Sequence, residues 1–158
     1  MAIRTIITEG EDTLRKRARE VTDFGPRTQT IIDDMIDTLY DAGNGIGLAA
    51  PQVGLLRRIF IIDLQDETGL TVFVNPEIIA EEGTQLCTEG CLSVPGKWGQ
   101  VERPDSVLVK AQDRFGKPFE LRGEGLMANV ICHENDHLDG VLFIDKVIGD
   151  LLTESDIA

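Results

Sequence analysis

The order of extended and helical stretches constrains this chain more than any other feature of its sequence. Arg58 to Asp63, Thr71 to Val74, Ile78 to Glu82 and Ser106 to Gln112 read as strands, and in the last of them Val107, Val109 and Ala111 share one face. A polar turn at Asp113-Arg114-Phe115-Gly116 leads into an extended Pro118 to Arg122, as in a hairpin. Helical spacing flanks this block. Asp12 or Thr13 is placed to cap a first helix with Leu14, Ala18 and Val21 on one face. Ile31, Ile32, Met35, Ile36 and Leu39 form the apolar stripe of a second helix, which Gly43-Asn44-Gly45 ends. A third runs from about Gly125 to Gly140. Strands grouped between helices predict an α+β fold of antiparallel β-sheets packed around the C-terminal helix, with further helices near the N-terminus. The length of 158 residues suits one domain spanning 1–158.

Charge narrows the function. Asp and Glu number 28 against 15 Lys and Arg, a formal charge of −13, and such a surface repels phosphate backbones and anionic lipid heads. The cluster Arg15, Lys16, Arg17 and Arg19 is interleaved with Glu11, Asp12 and Glu20 and reads as a solvated helix face, so no direct nucleic-acid binding is expected. No apolar run approaches the roughly 20 residues of a membrane span, and the N-terminus lacks the pattern of a secretory leader, so a cytoplasmic protein is expected. Three cysteines, Cys87, Cys91 and Cys132, are an odd number that points to thiols or metal ligands instead of disulfides.

The last helix carries the chemistry. His133-Glu134-Asn135-Asp136-His137 sets two imidazoles one turn apart and about 40° apart around the axis, so both can face one ion. Glu134 lies about 100° from His133, badly placed as a ligand and well placed as a general base for water beside the ion. Leu126 and Val130 project on the His133 side and extend that face into an apolar wall. With only two histidines in the chain, and Glu154 as the only glutamate after Glu134, a third imidazole or a downstream carboxylate is a poor candidate for the remaining ligand. A thiolate would complete a three-ligand catalytic site. Spacing leaves Cys87 and Cys91 as equals, and a closed site using both with the two histidines is the non-enzymatic alternative. Cys132 reads as a packed thiol. Gly and Pro around Glu89-Gly90-Cys91-Leu92-Ser93-Val94-Pro95 predict a tight path in place of a regular strand there, and Gly45 to Gln52 reads by itself as a Gly-rich turn leaving a helix.

Three separated segments, Gly45-Ile46-Gly47-Leu48-Ala49-Ala50-Pro51-Gln52, Glu89-Gly90-Cys91-Leu92-Ser93 and His133-Glu134-Asn135-Asp136-His137, together resemble the motifs of the peptide deformylases, over nearly the whole chain. That family removes the formyl group from the N-terminal formylmethionine of new polypeptides. The resemblance implies that Cys91, His133 and His137 hold Fe(II), with Ni(II), Co(II) or Zn(II) as substitutes. It implies that Glu134 is the general base and acid as water activated by the metal attacks the formyl carbon. Gln52 and the backbone N–H of Leu92 would bind the formyl oxygen, Gly45, Ile46 and Gly47 would run beside the substrate backbone, and Ile46 and Val130 would meet the methionine side chain. The implied partners are N-formylmethionyl nascent polypeptides, met in transient proximity to the ribosome by a monomer. Cys132 stands where many relatives have Gln, and the chain ends soon after Asp145 in an acidic tail where some relatives carry a helical, ribosome-docking extension.

Overall fold

Helix α1, Pro26–Ala42, forms where Ile31, Ile32, Met35 and Leu39 recur at helical spacing, and these four are its buried apolar face. Pro26 opens it with a fixed φ, and Gly43 closes it at φ 79. The computed structural model describes residues 2–153. After α1 come β1 (Gly47–Ala49), β2 (Ile59–Asp63), β3 (Leu70–Glu82), β4 (Gln85–Cys91), β5 (Val94–Arg103), β6 (Ser106–Gln112), β7 (Pro118–Glu124), helix α2 (Leu126–Leu138) and β8 (Ile148–Thr153). Two antiparallel sheets result, a five-stranded one in the order β1-β2-β3-β6-β7 and a three-stranded one in the order β4-β5-β8.

The larger sheet is buried on both sides around β2, and that explains the apolar run Ile59-Phe60-Ile61-Ile62. By strand alternation Ile59 and Ile61 pack with Ile32, Met35 and Leu39 of α1, while Phe60 and Ile62 pack with Ala128 and Ile131 of α2. Phe60 and Phe73 stack with ring centroids 4.7 Å apart. Helix α2 is therefore held between β1, β2 and β7 on one side and the smaller sheet on the other. The smaller sheet rests on its own cluster of Leu14, Val94, Val101, Leu142 and Phe143.

The α+β architecture matches the expectation, and β6 has the predicted bounds. The turn at Asp113 to Gly116 also forms, with the Asp113 carboxylate accepting from the N–H groups of Phe115 and Lys117. Three local readings are corrected. The first predicted helix is only a 3-10 turn, Asp12–Arg15, followed by extended chain. Leu14, Ala18 and Val21 are buried as expected, but the backbone is committed elsewhere: Ala18 N–H donates to Leu138, Arg19 N–H to Leu56, and the Arg19 carbonyl accepts from Arg58. The stretches around Asn75 are one strand, β3, broken by a register shift between Val74 and Glu77. Asn75 sits there at φ 51, and its amide clamps Val21 N–H, Val21 O and Gln112. Glu89 to Cys91 belongs to strand β4, which forms a hairpin with β5 around the two-residue turn Leu92-Ser93, and the tight path expected there is present as a register shift of the ladder between Gly90 and Cys91. Gly90 is accommodated inside that strand because the Trp98 ring fills the space beside it, 2.6 Å from where a Cβ would stand.

Candidate metal centre

Helix α2 presents His133 and His137 on successive turns, 9% and 1% exposed, with ring centroids 5.1 Å apart. Alternation along β4 turns Cys87, Glu89 and Cys91 to the side facing α2, and the hairpin turn leaves Cys91 at the end nearest the two rings. The Cys91 Sγ lies 3.3 Å from His137 Nε2 and also against His133. One donor atom from each of the three residues lies within 4.8 Å of the others, the only such metal-ligand group among the described residues.

The donor set fits a divalent cation. One thiolate and two imidazoles suit Zn, Fe, Ni or Co, and three protein ligands leave a coordination position open. Glu89, 4% exposed, accepts from His133 Nδ1 at 2.8 Å and so turns Nε2 toward Cys91. Burial pushes the His133 pKa down, but the hydrogen bonds with Cys91 and Glu89 outweigh it and hold it well above its ordinary value, and a bound ion would take the place of the Nε2 proton. Burial pushes the Glu89 carboxyl up, but hydrogen bonds from Arg103 and His133 outweigh it and hold its pKa at about 2. Burial also pushes the His137 imidazole well below its ordinary value, so that ring is neutral, as a ligand must be.

Glu134 faces the same place from one residue along α2. It is 4% exposed, and burial raises its carboxyl to about 7, the value a general base working near neutrality needs. Its Oε1 has no protein partner, while Oε2 would stand 2.7 Å from a Cβ built on Gly47. Gln52 reaches in from a 3-10 turn, Ala50–Val53, its Nε2 3.1 Å from Ser93 Oγ and 3.5 Å from Cys91 Sγ. Leu92 is the first residue of the β4–β5 turn, so its N–H lies outside the ladder that Cys91 and Val94 close.

These groups border a cleft of about 290 Å³. Gly45, Ile46 and Gly47 line one wall, Leu126 and Val130 another, and Gln52, Cys91, Leu92, His133 and Glu134 lie around its floor. Every residue expected at the site borders this cleft except His137, which stands behind it against the sulfur. Gly45 to Gln52, read locally as a turn, contains the edge strand β1. Cys87 is outside the three-donor group, which removes the closed four-ligand alternative. Cys132 is buried, and burial raises its thiol to about 11.

Sequence reasoning missed the groups behind the ligands. Arg103, 3% exposed, donates from Nε and Nη2 to Glu89 at 2.7 and 2.9 Å and from Nη1 to Asp136 at 2.8 Å. A signal for Glu89 existed: an acid two residues before a ligand cysteine shares its strand face. Nothing local marks Arg103, which acts from across the hairpin.

The chain is similar to known peptide deformylases along most of its length. The family model described as polypeptide deformylase matches residues 3–150. The chain is 56% identical over 148 residues to a peptide deformylase of Caldicellulosiruptor bescii, covering 94% of this chain and 87% of that one. It is 52% identical to one of Lachnoclostridium phytofermentans, covering 96% and 93%. Among solved structures, a peptide deformylase from Legionella pneumophila superposes with a TM-score of 0.89 at 50% identity, over 93% of this chain and 87% of that one. One from Synechococcus elongatus in complex with actinonin gives 0.87 at 41% identity, over 92% and 79%.

Proposed function

Because this chain belongs to the polypeptide deformylase family, we propose that it hydrolyses the formyl group from N-formylmethionyl nascent polypeptides, releasing formate, as one catalytic domain over residues 1–158. The observation that carries this reading is the convergence of Cys91, His133 and His137, the first two bordering a cleft and the third behind them, beside the unpartnered carboxylate oxygen of Glu134. The reaction is set in the cytoplasm, with a monomeric enzyme in transient proximity to the ribosome.

Cys91, His133 and His137 would hold Fe(II), or Ni(II), Co(II) or Zn(II) in its place, and such an ion supplies a Lewis acid that makes water nucleophilic near neutral pH. Glu134, with its Oε1 free of protein partners beside the cleft, takes the proton of the attacking water and returns it to the departing amine. The Gln52 side-chain amide and the Leu92 N–H donate to the formyl oxygen as negative charge builds there. β1 is an edge strand, so Gly45 to Gly47 offer the substrate backbone a strand to pair with, while Ile46 and Val130 receive the methionine side chain.

Stripping divalent metal with a chelator is expected to abolish formate release from a formyl-Met tripeptide. Anaerobic addition of Fe(II) or Ni(II) should restore it. Equal activity in metal-free protein, or no formate with any of the four metals, would remove the basis of this reading. Gly47 supplies a second expectation. A Cβ there would meet the Glu134 carboxylate at 2.7 Å, so Gly47→Ala must displace the base. Its kcat should fall at least about tenfold, within the range that acid–base catalysis spans, with metal content unchanged. Full activity in Gly47→Ala would contradict the position assigned to Glu134.

A further inference from the structure

We infer that Ser93 is a positioning residue whose hydroxyl takes one N–H of the Gln52 side-chain amide and so aims the other at the Cys91 sulfur, at the edge of the cleft. The inference rests on the deformylase reading and deepens it. Gln52 and Ser93 are 1% and 0% exposed, so each polar atom must find its partner inside the protein. A primary amide has one acceptor oxygen and two N–H groups. The Ala49 backbone N–H lies 2.9 Å from Gln52 Oε1, and a backbone N–H can only donate, so the amide cannot be turned the other way round. Nε2 then donates one hydrogen to Ser93 Oγ at 3.1 Å. The second hydrogen is donated to Cys91 Sγ at 3.5 Å, where Gln52 borders the cleft.

Ser93 is itself firmly held. Its carbonyl accepts from Glu9 N–H at 2.8 Å, and the Gln52 carbonyl accepts from Ile7 N–H at 2.8 Å, so one N-terminal segment stitches both residues in register. The Ser93 N–H also lies 3.4 Å from Cys91 Sγ. Backbone and side chain of Ser93 therefore serve different neighbours, the N–H serving the sulfur and the hydroxyl serving Gln52. Ser93→Ala removes only the second service. The buried Nε2 then keeps only the weak sulfur acceptor, and the amide, held at Oε1 by Ala49 alone, is less firmly aimed at a substrate oxygen.

The test compares parent, Ser93→Ala, Gln52→Ala and the double variant. In ¹H–¹⁵N spectra the Gln52 NH2 pair, identified by its absence in Gln52→Ala, is expected to shift from its parent position in Ser93→Ala, because one of its two acceptors is gone. An unmoved pair overturns the assignment, and this readout does not depend on activity. In formate-release kinetics Ser93→Ala should lose about tenfold or more in kcat, the scale of a disturbed oxyanion donor, with KM within about twofold. In the Gln52→Ala background the same change should add no more than about twofold, because its route of action is gone. Losses that multiply in the double variant would overturn the inference. If Ser93→Ala does not fold, Ser93→Thr keeps the hydroxyl and should show a parent-like amide pair; a displaced pair counts against Ser93. A parent that releases no formate would remove the deformylase reading alone, and the amide shift would still decide the case of Ser93.

Discussion

Glu134→Ala is expected to reduce formate release by about 10²–10⁴-fold while leaving metal content and fold intact. The argument is geometric before it is electrostatic. Glu134 follows His133 on α2 but takes no place in the three-donor group, and its Oε1 is without a protein partner beside the cleft. Burial raises its carboxyl to about 7 in the ion-free protein, the direction expected of a desolvated proton-transfer group. A buried carboxyl with an unpartnered oxygen is a cost to the folded state, which is a reason to expect the alanine variant to melt no lower than the parent. Metal analysis, thermal melting and formate assay on one preparation separate the alternatives. Substantial residual turnover, or loss of the metal, would exclude a pure acid–base role.

Arg103→Leu is expected to destabilise the protein by about 3–5 kcal/mol, because it leaves buried charges without their partner. Arg103 and Glu89 are each about 3% exposed at the side chain, and the guanidinium bridges Glu89 to Asp136. Removing it strands the Glu89 carboxylate, whose pKa of about 2 depends on that guanidinium together with His133. For a protein of this size such a loss lowers Tm by roughly 10 °C. The effect should reach the site as well, since the same Glu89 oxygen that faces His133 Nδ1 also accepts from Arg103. Replacing Glu89 with Gln in the Arg103→Leu background should recover part of the stability by removing the stranded charge. Urea unfolding measures both, and a loss below about 1 kcal/mol in Arg103→Leu would show that the network is not what holds α2 to the hairpin.

Local periodicity made much of this fold legible. The stripe Ile31, Ile32, Met35 and Leu39 with its glycine stop, the alternation of Val107, Val109 and Ala111, and the histidine pair on α2 are each written within one element. What stayed hidden depends on distant partners. Leu14, Ala18 and Val21 have helical spacing, yet Leu138 and Leu56 accept the hydrogen bonds that a helix would need for itself. The β4–β5 hairpin carries Gly90, Pro95, Gly96 and Gly99, which argue against strands until Trp98 and Val147 are seen packed over two of those glycines. At the site, spacing could not choose between Cys87 and Cys91, and the family resemblance favoured Cys91. The structure gives the physical reason, since both face α2 and only Cys91 stands at the hairpin end beside the rings. Arg103 and Ser93 were illegible for the same cause, each acting on a residue that folding brings to it.

The most direct measurement is X-ray absorption at the metal edge of protein loaded with zinc. One sulfur at about 2.3 Å and two imidazole nitrogens at about 2.0–2.1 Å, with a further light scatterer in the fourth position, is the shell that Cys91, His133 and His137 should give. Cys91→Ser should remove the sulfur scattering, whereas Cys87→Ser should leave it. A shell without sulfur in the parent, or one whose sulfur survives in Cys91→Ser, would contradict the centre on which the proposed chemistry depends.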